Sequence, residues 1–500
     1  MKRFCTIAIC TLLAIEVNAQ VSFDEFKTRK EREYSLFVEQ KNKEYQEFRD
    51  KVNANYAEML GKAWKAFEGM AMIPQPVEPK PIPPVVLPID DKQPPIIDNP
   101  LPFDKVIPVI KPQPQPTPVV PIVEPQPAPE PQPVTKSFAF KFFNTEMKAR
   151  IESKHRIKLT GTDGASIADC WNKLSSSDFN CVINDCLALR ERHKLCDWAY
   201  LCMLSELSKA FYSGSCNEAT LLTGYLYCSS GYKMRFAVSS ESKLVLLYAS
   251  KHTIYNKTYF TLGSDNFYCF DIDVNQLSIC EASYPEERPL SLFIADEQEL
   301  SSRSSCSRTL QSSRYDDVNA SVRINENLIK FYDSYPPSEI NNDFLTRWAM
   351  YANTPMSKEA KSTLYPSLIN AIDGKSEYEA VSRLLNFVQT AFKYEYDDKV
   401  WGHDRAFFAD ETLYYPYCDC EDRSILFSRL IRDLLGLKVI LIYYPGHLAT
   451  AVHFSESVTG DYILVDGRRF IVCDPTYINA GVGRTMPNMD NGKAKIILLE

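Results

Sequence analysis

The sequence predicts an α+β protein: two globular domains behind a long N-terminal helix and a proline-rich linker. Three observations predict it. A helical run followed by β-rich runs occurs twice in the C-terminal part, a proline-dense stretch precedes that part, and an aromatic stripe of fixed period marks residues 22 to about 70. Five hundred residues also exceed what one core usually serves, so two or three units are expected. The expected boundaries are 1–19 for a signal peptide, 20–70 for the helix, 71–135 for the linker, and 136–320 and 321–500 for the two domains.

Met-Lys-Arg opens the chain, an apolar run fills residues 4–15, and Glu-Val-Asn-Ala-Gln follows. This reads as a secretory signal cleaved after Ala19, which implies export to a periplasmic or extracellular space. No other stretch is long and apolar enough to span a membrane, so no integral membrane segment is expected. A net charge of −8 argues against nucleic acid as a partner. Cys5 and Cys10 leave with the signal, and thirteen cysteines remain, ten of them from Cys170 to Cys306. An odd number in an exported chain implies at least one free thiol, and the spacing leaves any pairing open.

Phe23, Tyr34, Tyr45, Tyr56 and Phe67 recur every eleven residues, with Phe26, Phe37, Phe48, Met59 and Met70 three places on. A period of about 3.67 residues per turn keeps such a stripe on one side of a straight or slightly right-handed helix, which uninterrupted would be roughly 70 Å long. The stripe is expected to pack on a second copy; a helix folded back onto the globular part is the alternative. Residues 74–133, with Gln-Pro-Gln-Pro and Pro-Val-Val-Pro repeats, read as an extended, semi-rigid spacer that holds the helix away from the domains.

The last part of the chain carries the chemistry. After Tyr-Pro-Tyr-Cys-Asp-Cys-Glu-Asp-Arg-Ser (415–424), Ile425, Leu426, Leu430, Ile431, Leu434 and Leu435 fall on one helical face, and Gly436 stops the helix. Cys420 therefore stands in a first turn, where unpaired N–H groups and the dipole favour thiolate and can hold an oxyanion. A strand over 437–444, a Pro-Gly turn and a strand from His447 follow; Asp466-Gly467 reads as a hairpin turn whose return strand delivers Asp474. Nucleophile on a helix, base on a strand and carboxylate on its neighbour is the order of a thiol triad.

Asp-Cys-Glu-Asp-Arg-Ser, then Gly-His, then Asp-Pro-Thr, resembles the transglutaminase-like superfamily of papain-type fold, in particular the bacterial transglutaminase-like cysteine peptidases. The resemblance covers residues 320–500 and implies nucleophile Cys420, base His447 and third member Asp474, with no cofactor and no metal. Where the family often has an aromatic residue soon after the histidine, Leu448-Ala449 follow. The first domain echoes the second. Cys216-Asn-Glu-Ala-Thr-Leu-Leu opens an apolar run ending at Gly231, with His252 and Asp271 further on. This reads as a duplicated but degenerate copy, since the spacing is longer and neither a glycine turn nor Asp-Pro-Thr follows.

Other readings of the same residues weigh against this one. Cys420 could be a core cysteine, but Asp419, Glu421 and Asp422 flank it. Cys418, Cys473, Cys420 and His447 could ligate zinc, but Cys-x-Cys is tighter than the usual spacing. His453 competes with His447 as base, Asp466 is a turn residue, and Tyr415 or Tyr417 could face an oxyanion. The expected function is thiol-dependent acyl transfer on amides of protein or peptide, with hydrolysis favoured over crosslinking. The alternative is a non-enzymatic extracytoplasmic scaffold using the domains as binding platforms.

Overall fold

A computed structural model describes residues 4–77, 79–88, 96–118, 137–175 and 179–500, with side chains from residue 25 onward. The chain is a mixed α+β protein, with twelve α-helices and six sheets among the described residues. None of these helices is long and apolar enough to cross a membrane. Of the residues assigned to the signal peptide, 1–3 lie outside the described residues, and 4–19 lie outside the described side chains, within a continuous helix Phe4–Lys62.

Two sheets organise the globular part, and they share one topology. In the C-terminal half the helix Cys420–Leu435 leads into Lys438–Tyr444, which pairs with His447–His453, then Arg468–Cys473, then Asp461–Val465. In the preceding half the helix Asn217–Ser229 leads into Met234–Ser239, which pairs with Leu244–Ser250, then Asp265–Cys269, then Tyr259–Leu262. A further strand covers the first strand's outer edge in each, Lys495–Leu498 in one and Gln276–Cys280 in the other. Side chains from both halves join one large core, in which Tyr332 stacks on Phe408 at 4.2 Å.

Among the described residues, the long helix docks at its C-terminal end. Tyr56, Ala57 and Leu60 are buried, Tyr56 packing on Trp171 at 4.7 Å and on Tyr284 at 5.3 Å. Upstream the stripe faces out, with Phe26 49 % and Phe37 57 % exposed. The eleven-residue register thus meets two environments. The helix also stops at Lys62, short of Phe67 and Met70. Trp64–Glu68 instead adds a strand to the edge Gln276–Cys280, and Met70 bridges to Tyr259, because an open sheet edge offers this backbone partners that a further helical turn would forgo.

The proline-rich stretch is no free spacer where it is described. Asn99–Pro100 and Lys105–Ile107 pair parallel with the two outer strands of the C-terminal sheet, making it seven-stranded. Proline lacks an N–H but tolerates a sheet edge, and aliphatic residues of the stretch supply apolar contacts: Ile82, Val85 and Leu87 pack on Tyr477, Ala480 and Met486. All thirteen cysteines from Cys170 onward are free thiols.

Candidate functional site

Cys420 is the first residue of its helix, as the sequence indicates. Asp419 is the N-cap, and the Asp422 carboxylate accepts from the Asp419 N–H at 3.2 Å, closing the first turn. Ile425, Leu426, Leu430 and Ile431 are fully buried, and Gly436 ends the helix in the left-handed region at φ 66°. The apolar face fixes the helix, and the helix fixes the sulfur.

His447 opens its strand directly opposite Tyr444. Its Nε2 donates to Asp474 Oδ2 at 2.8 Å, and both side chains are sealed from solvent. A carboxylate only accepts, so Nε2 carries the proton and Nδ1 is the basic nitrogen. Nδ1 is buried with no hydrogen-bond partner among the described residues. Asp474 Oδ1 is occupied by the N–H groups of Thr476 at 2.8 Å and Tyr477 at 3.2 Å, which aims Oδ2 at the ring. Asp466-Gly467 forms the expected hairpin turn, with φ of 49° and 73°.

Cys420 and His447 line one cleft of about 670 Å³. Its apolar side is Trp348 stacked on Tyr443, and its polar side is Asp397, Asp404, Asp419 and Glu421. The thiol donates to Glu421 Oε2 at 3.2 Å. Burial, then the charges of Glu421 and Asp419, push the Cys420 thiol well up, against the acidifying helix start that the sequence suggests; a backbone N–H from Leu448 opposes them weakly. The sulfur is therefore a neutral thiol at rest and needs a base to take its proton.

Carboxylates crowd this wall. Burial and the Glu421 charge raise Asp397 to about 8, and burial with the same neighbours raises Asp419 and Asp422. Ligand atoms of Asp397, Asp404 and Glu421 lie within 4.8 Å of one another, as do those of Asp419, Cys420 and Glu421. Oxygen-rich groups of this kind suit a hard divalent cation rather than zinc. Cys418 and Cys473 do not join His447 in any such group among the described residues. Cys418 is buried beside the Lys393 carbonyl and pushed up to about 11 by that burial. His453 Nδ1 donates to the Arg469 carbonyl at 2.9 Å, and His453 takes no part in the cleft.

Sequence reasoning missed three supporting residues. Gln389 Nε2 donates to the carbonyls of Asp474, Tyr477 and Ala480 at 2.7 to 3.1 Å, holding the loop that carries the carboxylate. Arg423 caps the end of the Gln389 helix region through the carbonyls of Gln389 and Phe392. Both are polar residues on otherwise apolar helix faces, and that was their signal. Tyr394 is the third. Its hydroxyl is buried without a partner among the described residues, and burial, then the Cys420 charge, raise it strongly. Tyr415 donates to Asp333, and Tyr417 is exposed, so neither reaches the cleft.

The first half has a cleft at the matching place, of about 540 Å³, lined by Cys216, Asn217, Leu244, Phe270 and Asp271. Cys216 is an N-cap rather than a first helical residue, so Asn217 holds the position of Cys420. By strand register Leu244 holds that of His447, since Leu247 faces Cys269 as Thr450 faces Cys473. His252 is buried elsewhere, its Nε2 accepting from the Leu292 N–H, and Asp271 pairs with Lys209. Cys216, His252 and Asp271 do not come together.

No family model matches the chain, and no curated protein or solved structure is significantly similar to it.

Proposed function

We propose that the C-terminal half is a transglutaminase-like cysteine acyl-transfer enzyme acting on amides of protein or peptide, more a peptidase than a crosslinker. The observation that carries this is the sealed His447–Asp474 pair, which leaves a basic Nδ1 beside the thiol-bearing cleft. In this reading the Cys420 S–H proton passes to Nδ1 as sulfur adds to the amide carbonyl carbon. The tetrahedral adduct then collapses, the C–N bond breaks, and the amine leaves with the proton from His447. Water, deprotonated by the same nitrogen, cleaves the thioester and releases the acid. The loose resting arrangement is compatible with this, since catalytic hydrogen bonds often tighten only with substrate.

The shared strand order supports reading both halves as papain-type copies, and Leu244 in the histidine position supports a catalytically silent first copy. We read the apolar start of the chain as an export signal, and the exposed stripe of Phe26, Phe37 and Phe48 as a surface for a second copy. The scaffold alternative is favoured by that silent cleft alone.

Brief iodoacetamide treatment tests the enzyme reading, in a variant with the exposed Cys216 and Cys306 changed to serine. Cys420 is expected to label before Cys418 and Cys473, with the rate lost in His447→Ala. A Cys420 that stays unmodified while Cys418 labels would refute the assignment. Release of new amine termini, against incorporation of a fluorescent amine, separates hydrolysis from crosslinking.

A further inference from the structure

The catalytic cleft has a roof made by the chain itself. Gln75, Pro76, Val77, Pro79, Lys80 and Pro81 line the same cavity as Cys420 and His447. This stretch is anchored on both sides of it. On one side Met70 bridges to Tyr259, the Asn256 N–H donates to the Ile73 carbonyl at 2.8 Å, and Gln75 Nε2 donates to Asp404 Oδ2 at 2.6 Å. On the other side the Ile82 N–H donates to the Gly446 carbonyl at 2.8 Å, and Leu87 and Val85 exchange backbone hydrogen bonds with Ile478.

These anchors fall on catalytic segments. Gly446 precedes His447, and Ile478 follows Asp474 by four residues. The approach at Gly446 is close: φ is +80°, and a Cβ there would lie 2.7 Å from the Lys80 carbonyl oxygen. A side chain at this position could not coexist with the strap. Between its anchors the described residues of the strap face solvent, with Val77 97 % exposed and Pro79 and Lys80 also exposed. Proline-rich backbone is extended in advance and makes few hydrogen bonds of its own, so it spans the cleft without collapsing into it.

We propose that the strap around Gln75–Val77 and Pro79–Ile82 is a built-in lid that keeps polypeptide out of the Cys420–His447 cleft until it swings aside, so that the substrate is an extended peptide segment that displaces it. This rests on the enzyme reading above. A small reagent passes under such a roof, whereas a polymer cannot. The Gln75 side chain is held by two hydrogen bonds, to the carboxylate and the carbonyl of Asp404, and the Ile82 anchor is one N–H bond to Gly446, so removing either biases the lid towards open without touching a catalytic group.

The test compares Gln75→Ala and, separately, Ile82→Pro with the parent, all in the full chain with Cys216 and Cys306 changed to serine and folding checked by circular dichroism. Modification of Cys420 is timed with iodoacetamide and with a polyethylene-glycol maleimide. The proposal expects iodoacetamide rates that agree among the three proteins, and a maleimide rate raised about tenfold or more by either substitution, the effect of losing one hydrogen bond of closure at Ile82 and two at Gln75. A maleimide rate equal in parent and both folded variants overturns the lid and leaves the enzyme reading standing. A Cys420 inert to iodoacetamide in all three overturns the enzyme reading, and the lid with it.

Discussion

Changing Asp474 to asparagine tests the triad geometry with little change of shape. Asparagine Oδ1 can still accept from the Thr476 and Tyr477 N–H groups, so the loop keeps its fold. Its amide nitrogen then faces His447 Nε2, a donor against a donor. The ring relieves this by moving its proton to Nδ1, the nitrogen that receives the Cys420 proton in the proposed mechanism. Turnover and iodoacetamide modification of Cys420 should both fall by about 10³–10⁴-fold, the scale of the same exchange in a serine triad. Stability should fall far less, by about 1–2 kcal/mol, as a charge-assisted bond becomes a neutral one. Asp474→Ala strands three buried donors and should cost about 3–5 kcal/mol. The assays are alkylation rate by mass spectrometry and the thermal midpoint. A folded Asp474→Asn protein that alkylates at the parent rate would refute the reasoning, because Nδ1 would then not be the working base.

Three further outcomes follow from the same contacts. Tyr394→Phe removes a buried hydroxyl that has no partner among the described residues and should raise the thermal midpoint by the equivalent of about 1–2 kcal/mol; a lower midpoint contradicts it. Burial raises Asp397 to about 8 and Glu411 to about 7, so the folded state holds protons that the unfolded chain has released, and stability should decline as pH climbs from about 4 to about 8. Asp397→Asn should therefore raise the thermal midpoint more at pH about 8 than at pH about 5, and a pH-independent gain would contradict it. Tyr56→Ala should cost about 3–5 kcal/mol and expose the long helix to protease, while Phe37→Ala should leave stability unchanged, since only Tyr56 packs inside the core.

The local devices of the site were legible because each is written in neighbouring residues. The apolar face after Cys420, the glycine at 436 and the Asp-Gly turn at 466 are short-range instructions, and the structure follows them. Cys420, His447 and Asp474 could be singled out for the same reason: each sits at an element boundary that the pattern marks. Their pairing is long-range. Which histidine meets Asp474, and that Gln389 holds its loop, depend on strand order and on a helix some ninety residues upstream.

The charge state of the thiol was beyond the sequence as well. A helix start and flanking carboxylates pull in opposite directions, and only burial decides between them, here in favour of the neutral thiol. The N-terminal segments make the same point. An eleven-residue period fixes that a helix has one apolar side, and proline density fixes that a stretch is extended. Neither says what lies opposite. Tyr56 enters a core while Phe37 stays in water, and prolines that cannot build a core of their own lie along a sheet edge and over the Cys420–His447 cleft. Periodicity is a property of a few turns of backbone, whereas burial is a property of the surfaces that the rest of the chain brings to it.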